Sequence, residues 1–500
     1  MKMYLSNFSS ITGISFTINR IQFGLFYILS TMLLVLSGSI SLVAQENSER
    51  MNVLFIVSDD LCNSASDIAS TPHLDRLAKM GVTFSQAYCQ YPVCCPSRNS
   101  FLSGLSSNEL GGKWAPLRDL APDVTTLPQL FRENGYYTAS IGKVFHVDGW
   151  DKRWPDEGWE YDDEKSWDFR INCPPANQGK RRMPPFPRKG IRLEWPGHSG
   201  PIDYGMISFE SDLAQDDGQA TQEAIRQLDL NLDKPFFLAV GYRRPHAPFI
   251  APEAYFWPYP LENMEIPDPG DRSDVTNLAF NVIPANYGDP EGMKKMKMCY
   301  LASVSFLDSQ VGRLLQSLED HGLMENTIII FFSDHGFQLG EHGNWHKNTL
   351  FEESAKTPLI IRIPGVTTPG AISNTIVELV DLYPTLQEYC GLPIPDQKLA
   401  GRSLIPLLND PDYKMEEKPA FTIVRRKLHD DREGMGYSVR YKTFRYNEWW
   451  ALGEESELIA SELYDLDKDP GSEVNENDNK DYKSVRKEMS ALIESYRSGK

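Results

Sequence analysis

Two adjacent polar pairs, Asp59-Asp60 and Asp334-His335, each stand directly after a run of branched and aromatic residues that reads as a buried strand. Carboxylates converging from separate strand ends suit a divalent cation. Ca²⁺ is the simplest choice, because it accepts several oxygen ligands in flexible geometry. The imidazole of His335 keeps Mg²⁺, Mn²⁺ and Zn²⁺ open. Three further segments bring cations and histidine to the end of an apolar approach: Lys143 and His146 after Ile141, Arg243, Arg244 and His246 after Val240, and His342, His346 and Lys347 after Gly340. Taken singly, each of these is as readily a surface or core residue. Together they can bind a tetrahedral oxyanion and hand a proton to a leaving group. A last short segment, Cys94 to Arg98, places a cysteine three residues before Ser97, with Pro96 between and Arg98 directly after.

These residues need a scaffold that gathers strand ends. Asn52 to Val57 reads as the first buried strand, and a helix over Thr71 to Ala78, with Thr71 as N-cap and Pro72 at its first position, closes at Gly81. The pattern predicts helix Leu127 to Asn134 before strand Tyr137 to Ile141, and helix Gln219 to Leu228 before strand Pro235 to Tyr242. A long helix from about Gly292 to His321 precedes strand Thr327 to Phe332. Strands alternating with helices make an α/β fold with a mainly parallel central sheet flanked by helices. In such sheets ligands collect at the carboxyl ends of the strands, which puts Asp59, Asp60, His246, Asp334 and His335 on one edge. Residues 147–200 and 256–290 read as long surface excursions. Residues 413–500 read as a smaller C-terminal subdomain, an antiparallel sheet with one helix from about Lys480, after a catalytic domain spanning 51–412.

The 500 residues include 41% hydrophobic and 24% charged, the composition of a soluble globular protein. Residues 1–44 differ: Lys2 and Arg20 precede a stretch free of charge from Phe23 to Ala44, which reads as a signal peptide or a signal anchor. The protein is therefore expected to be exported, periplasmic or secreted, with no membrane attachment after signal cleavage. A net charge of −19 argues against nucleic acid or an anionic membrane as partner. An anionic ligand then needs a local basic pocket. Lys180, Arg181, Arg182, Arg188, Lys189 and Arg192 supply one candidate grip and the Arg243-Arg244 pair another. Seven cysteines form no dense disulfide framework. Trp345, Trp449 and Trp450 are better placed as core than as sugar platforms.

The segment Cys94 to Arg98 has the form Cys-x-Pro-Ser-Arg, and with Ser58 to Leu61, Gly142 to His146, Ala239 to Phe249, Ser333 to Lys347, Met435 to Arg440 and Glu462 to Asp465 the chain resembles a type I sulfatase of the alkaline phosphatase superfamily. It is most similar to the iduronate-2-sulfatase group. The resemblance implies an alkaline phosphatase-like large domain and hydrolysis of sulfate esters on a sulfated, uronate-containing oligosaccharide or polysaccharide, with algal glycans among the candidates. It also implies that a separate maturation enzyme oxidises Cys94 to formylglycine, whose hydrated aldehyde attacks sulfur. His246, with Lys347 beside it, would be the general acid and His146 the base, while Arg98 holds the formylglycine oxygens and Lys143 the sulfate. Asp59, Asp60, Asp334 and His335 would ligate one Ca²⁺ together with residue 94. Cys95 is excluded as the nucleophile, because Ser97 rather than proline stands two residues after it. Three departures from the family pattern are Ser103-Gly104-Leu105, where a basic residue commonly follows the glycine, and Cys62 and Phe337, which are expected to bear on the substrate. A phosphate or phosphonate ester hydrolase of the same superfamily and a non-catalytic glycan-binding homologue are the competing readings.

Overall fold

The strand expected from Asn52 runs on as far as the first carboxylate: β1 is Asn52–Asp59, buried throughout. The computed structural model describes residues 50–146, 162–171, 189–194, 204–231, 233–280, 289–453 and 456–499. The chain divides into two compact units, Met1–Arg50 and Met51–Lys500. The apolar segment of residues 1–44 and the basic residues Lys180, Arg181, Arg182 and Arg188 lie outside the described residues. No helix among the described residues is long and apolar enough to cross a membrane.

The central sheet of the second unit contains β1, β2 (Val82–Phe84), β3 (Tyr137–Gly142), β4 (Phe169–Ile171), β5 (Phe236–Pro245), β6 (Thr327–Ser333), β7 (Leu359–Arg362) and β8 (Ala371–Ser373). Its order is β8-β2-β7-β6-β1-β5-β3-β4, and of these strands only β7 runs against the rest. The near-continuous apolar runs follow from burial on both faces. Successive side chains point to opposite faces, so Leu54, Ile56, Ile329 and Phe331 enter one core while Val53, Phe55, Val57, Ile328, Ile330 and Phe332 enter the other. Helices cover each face. Next to the first core lie α1 (Pro72–Met80), α4 (Asp216–Asn231) and α5 (Pro290–Asp320); next to the second lie α2 (Cys94–Ser103) and α3 (Leu127–Glu133).

Register positions the chemistry. Ser58 pairs with Ser333, Val57 with Gly241, and Gly142 with Gly241, so β6, β1, β5 and β3 finish side by side. The close meeting of β3 and β5 demands glycine. A Cβ on Gly241 would lie 2.0 Å from the carbonyl oxygen of Lys143, and one on Gly142, at φ +75°, would lie 2.2 Å from that of Gly241.

The C-terminal region forms a four-stranded antiparallel sheet of β9 (Ala420–Lys427), β10 (Glu433–Tyr441), β11 (Phe444–Ala451) and β12 (Glu457–Asp465), in chain order. One face takes Met489 and Ile493 of α6 (Lys483–Arg497). The other carries Val424, Trp449 and Tyr464 against Leu350 and Phe351.

Two local expectations change, and one helix was not anticipated. Thr71 makes no side-chain cap; Asp308 of α5 takes over, accepting from the backbone N–H of Leu74 at 2.7 Å and of His73 at 3.1 Å. The excursion 147–200 contributes the edge strand β4 rather than surface alone, because Ala139 to Ile141 of β3 pair with it. Finally, Cys94–Ser103 is a helix in which every residue is buried, without the one-sided apolar stripe that would mark it in sequence.

Candidate active site

Four adjacent strand ends and one helix start build the site. Asp59 ends β1, and Asp60 follows in the left-handed region at φ +70°. Tyr300 of α5 fixes that turn: its hydroxyl donates to the Asp60 carbonyl at 2.6 Å and accepts from Cys62 N–H at 2.9 Å. The Asp60 N–H donates to Asp334 Oδ1 at 3.3 Å, tying the ends of β1 and β6. Lys143 and His146 leave β3, and His246 leaves β5.

Cys94 is the first residue of α2, so its thiol faces the positive end of the helix dipole. Pro96 fits there because the first turn of a helix leaves its N–H groups unbonded anyway. The Cys94 Sγ lies 3.1 Å from Asp59 Oδ1, 3.4 Å from His335 Nε2 and 3.2 Å from Lys347 Nζ, and the His146 imidazole stands close enough to act on its charge. Lys143 pairs with Asp59 and Lys347 with Asp60. Arg98, fully buried one turn into α2, donates through Nε to Asp334 Oδ2 at 2.9 Å and through Nη1 to the carbonyls of Lys143 and Val144. Its Nη2 stands 3.7 Å from Asp59 Oδ1. One guanidinium thus fastens the ends of β1, β3 and β6 to the helix that presents Cys94.

Charge sets the thiol apart. Burial pushes Cys62 up to about 11 and Cys390 up to about 12. Burial acts upward on Cys94 too, yet Lys143, Lys347 and His335 overcome it and hold that thiol well below its ordinary value. Burial and Cys94 press Asp59 upward, and Lys143, His246 and Arg98 together carry it below the carboxylate range. Burial raises Asp334 to about 7. His335 rises to about 9 because the Asp334 charge outweighs burial. His146 falls to about 4, chiefly through burial.

The donor set fits a divalent cation. Asp59, Cys94, Asp334 and His335 offer donor atoms within 4.8 Å of one another, as do Asp59, Asp60, Cys94 and His246. His335 Nδ1 lies 2.9 Å from the Gly336 carbonyl, which can only accept. That bond puts the proton on Nδ1 and turns Nε2 toward Asp60 and Asp334, each 3.5 Å away. All five residues expected to ligate the metal are therefore brought together, and His246 joins them.

Other expectations resolve differently. Arg243 and Arg244 are 5% and 1% exposed and face Asp216, so they do not grip a substrate from the surface. Phe337 is buried against Tyr300, ring centroids 5.4 Å apart, and Cys62 is fully buried. Neither reaches a substrate, because both fill the core beneath the site. Arg192 lies over the Tyr204 ring at 3.7 Å and pairs with Glu194. Trp345 and Trp449 are core residues. Cys94 and Cys95 are both thiols, and Cys95 turns away toward the Ala115 carbonyl at 3.4 Å. One site residue escaped the sequence reading: Trp114, 48% exposed, stands edge-on to the His146 ring with centroids 4.5 Å apart. Its only sequence signal is a large aromatic in the polar, glycine-rich stretch Gly111 to Lys113.

A buried thiol at a helix start, ringed by carboxylates, ammonium groups and imidazoles on the carboxyl edge of a parallel sheet, is the equipment of a hydrolase acting on an anionic ester. The Sulfatase family pattern matches residues 51–392, and the pattern described as N-sulphoglucosamine sulphohydrolase, C-terminal, matches residues 340–499. The chain is 33% identical to iduronate 2-sulfatase of Mus musculus, over 88% of this chain and 94% of that one. It is 32% identical to a sulfatase of Formosa agariphila, over 90% of this chain and 87% of that one. This chain belongs to the sulfatase family and is a sulfuric ester hydrolase. Its fold matches the phosphonate monoester hydrolase of Agrobacterium radiobacter with a TM-score of 0.73 at 22% identity, covering 90% of this chain and 96% of that one. It also matches, with a TM-score of 0.65 at 23% identity, a protein solved with its substrate D-glucosamine-2-N,6-O-disulfate, covering 90% and 98% of the two chains.

Proposed function

We propose that this exported enzyme removes O-sulfate from a uronate-containing glycan, with residue 94 as formylglycine and one Ca²⁺ at the acidic cluster. The observation that carries the reading is the convergence of Asp59, His335, Lys347 and His146 on the single thiol of Cys94. Iduronate 2-sulfatases among the relatives support a 2-O-sulfated uronate as substrate. Asp59, Asp60, Asp334, His335 and residue 94 would hold the cation, which supplies charge neutralisation at the sulfate and polarises the nucleophilic hydroxyl. Lys143 and Lys347 neutralise the remaining sulfate charge. Arg98 keeps residue 94 fixed against the ends of β1 and β6. A sugar alcohol is a poor leaving group and departs with a proton from His246 Nε2. His146, held neutral by burial, accepts the proton as sulfate is expelled from residue 94. The exposed indole of Trp114 offers an apolar face against which a pyranose ring stacks.

Peptide mass spectrometry of the Cys94 segment, in protein made alongside a maturation enzyme, is expected to show the aldehyde or its hydrate. Intact thiol would turn the reading toward a non-catalytic glycan-binding protein. Matched sulfate and phosphate esters of one sugar are expected to favour the sulfate; faster phosphate turnover sinks the sulfatase specificity. N-terminal sequencing of the mature protein from the periplasm or medium tests export.

A further inference from the structure

Asp216 and Asp217 open α4 and have no part in the chemistry above, yet both are buried. The two Asp217 carboxylate oxygens accept from the backbone N–H groups of Arg243 and Arg244, each at 2.9 Å. Asp216 faces the Arg244 guanidinium at 3.3 Å and that of Arg243 at 3.7 Å. Arg244 in turn donates through Nη1 to the carbonyls of His246 and Pro248, both at 3.2 Å. The His246 N–H donates to the Arg243 carbonyl at 2.8 Å. Apart from the Asp216 ion pairs, which hold the two guanidinium groups, each of these bonds ends on the backbone between Arg243 and Pro248.

Burying two carboxylates and two guanidinium groups costs desolvation that apolar packing would not. What charges supply and apolar side chains do not is direction: a planar guanidinium fixes two carbonyls at once, and a carboxylate fixes two N–H groups. The result bears on one ring. His246 Nδ1 donates to the Ala247 carbonyl at 2.6 Å, so Nε2 is the nitrogen that faces the site, 3.9 Å from Asp60 Oδ2. If the 246–248 carbonyls shifted, that nitrogen would shift with them.

We infer that Arg244, anchored by Asp216, is a positioning residue that aims His246 Nε2 at the leaving oxygen. The inference rests on the assignment of His246 as the acid that protonates a sugar alcohol. Misplacing a proton donor by about 1 Å is worth on the order of 10²-fold in rate. Arg244→Lys keeps a positive charge but has one nitrogen where arginine uses two, so it cannot hold Asp216 and both carbonyls at once. It is expected to lower kcat on a 2-O-sulfated uronate disaccharide by about 10- to 100-fold, with KM changed less than about threefold. On 4-nitrophenyl sulfate, whose phenolate leaves without a proton, kcat should stay within about twofold of the parent.

Asp216→Asn, which removes the anchor and leaves the two carbonyl bonds possible, should show the same selectivity with a smaller loss. It also serves where Arg244→Lys melts early. His246→Ala separates the two claims. If it slows both esters equally, the acid assignment falls and this inference with it. If it slows only the sugar sulfate while Arg244→Lys and Asp216→Asn slow both esters alike, or neither, the acid stands and the positioning role is overturned.

Discussion

Cys94 differs from its neighbour Cys95 by one position in the chain and by everything in its surroundings. It meets Asp59, His335, Lys347 and His146, whereas Cys95 meets the backbone of Ala115. Cys94→Ala is expected to lower turnover on the order of 10⁴-fold or more. The melting temperature should stay within a few degrees of the parent, because the substitution removes one small buried atom; measuring both on one preparation checks the pair. His146 makes a second residue-level prediction. Burial holds its imidazole at about 4, below the ordinary value near 6.5, so the folded state favours the neutral ring. The unfolded chain takes up the proton first as pH falls. Stability from this group is therefore complete above pH 6.5 and is lost between pH 6.5 and about 4, up to about 3 kcal/mol. Melting curves across that window should fall less steeply for His146→Gln; equal slopes would contradict the burial argument. At this scale the sequence was highly legible. Residue types and spacing singled out the acidic cluster, because chemistry restricts which side chains can act, and the resemblance carried by Cys94 to Arg98 singled out the thiol. Trp114 was not legible, since an exposed aromatic carries no spacing rule.

The strands were legible for the opposite reason. A strand buried on both faces is a continuous apolar run, and β1, β5 and β6 announced themselves. Helix α2 did not, because all its faces are buried and its residues, from Cys94 through Arg98 to Ser103, carry no periodic stripe. Its end is fixed by Gly104 at φ +71°, whose N–H caps the Ser100 carbonyl at 2.8 Å. A Cβ there would lie 2.5 Å from Leu399 Cδ2 and 2.9 Å from Tyr383 Cδ1. Gly104→Ala is accordingly expected to destabilise the protein by about 2 kcal/mol or more, adding left-handed strain to the clash. Denaturant titration measures the loss, and an unchanged midpoint would show that the helix end relaxes freely. The same helix carries Arg98, so activity should fall with it. The Arg243-Arg244 pair shows where local reading fails: two adjacent arginines look like a surface grip until α4 sets Asp216 and Asp217 against them.

Across the whole molecule, the C-terminal sheet and the site share one wall. Leu350 and Phe351, just after Lys347, pack on Trp449 and Tyr464, and Glu352 Oε1 pairs with the buried Arg445 at 2.6 Å. Arg426 reaches the Asn348 carbonyl, and Asn348 N–H donates to the Pro92 carbonyl at 3.1 Å, two residues before Cys94. Residues 420–465 thus steady the segments that present Lys347 and Cys94. Arg445→Met leaves Glu352 in a buried place with the Tyr88 hydroxyl at 3.0 Å and Arg440 at 3.6 Å as partners, and should cost about 3 kcal/mol. The double variant with Glu352→Gln should recover part of that loss, which a double-mutant cycle in denaturant would measure.

The sequence by itself determined the class of reaction and the α/β architecture, and it named the thiol and the acidic cluster now proposed as nucleophile and ligands. Each depends on a short motif that carries the family resemblance, on side-chain type or on the period of a strand, all of which are local. Only the tertiary structure decided that β3, β5, β1 and β6 end in register, that Arg98 ties three of those ends to α2, and that the arginine pair is buried against Asp216 beside His246. Those facts belong to pairings between residues far apart in the chain. Burial alone turns such pairs from solvated charges into directional bonds.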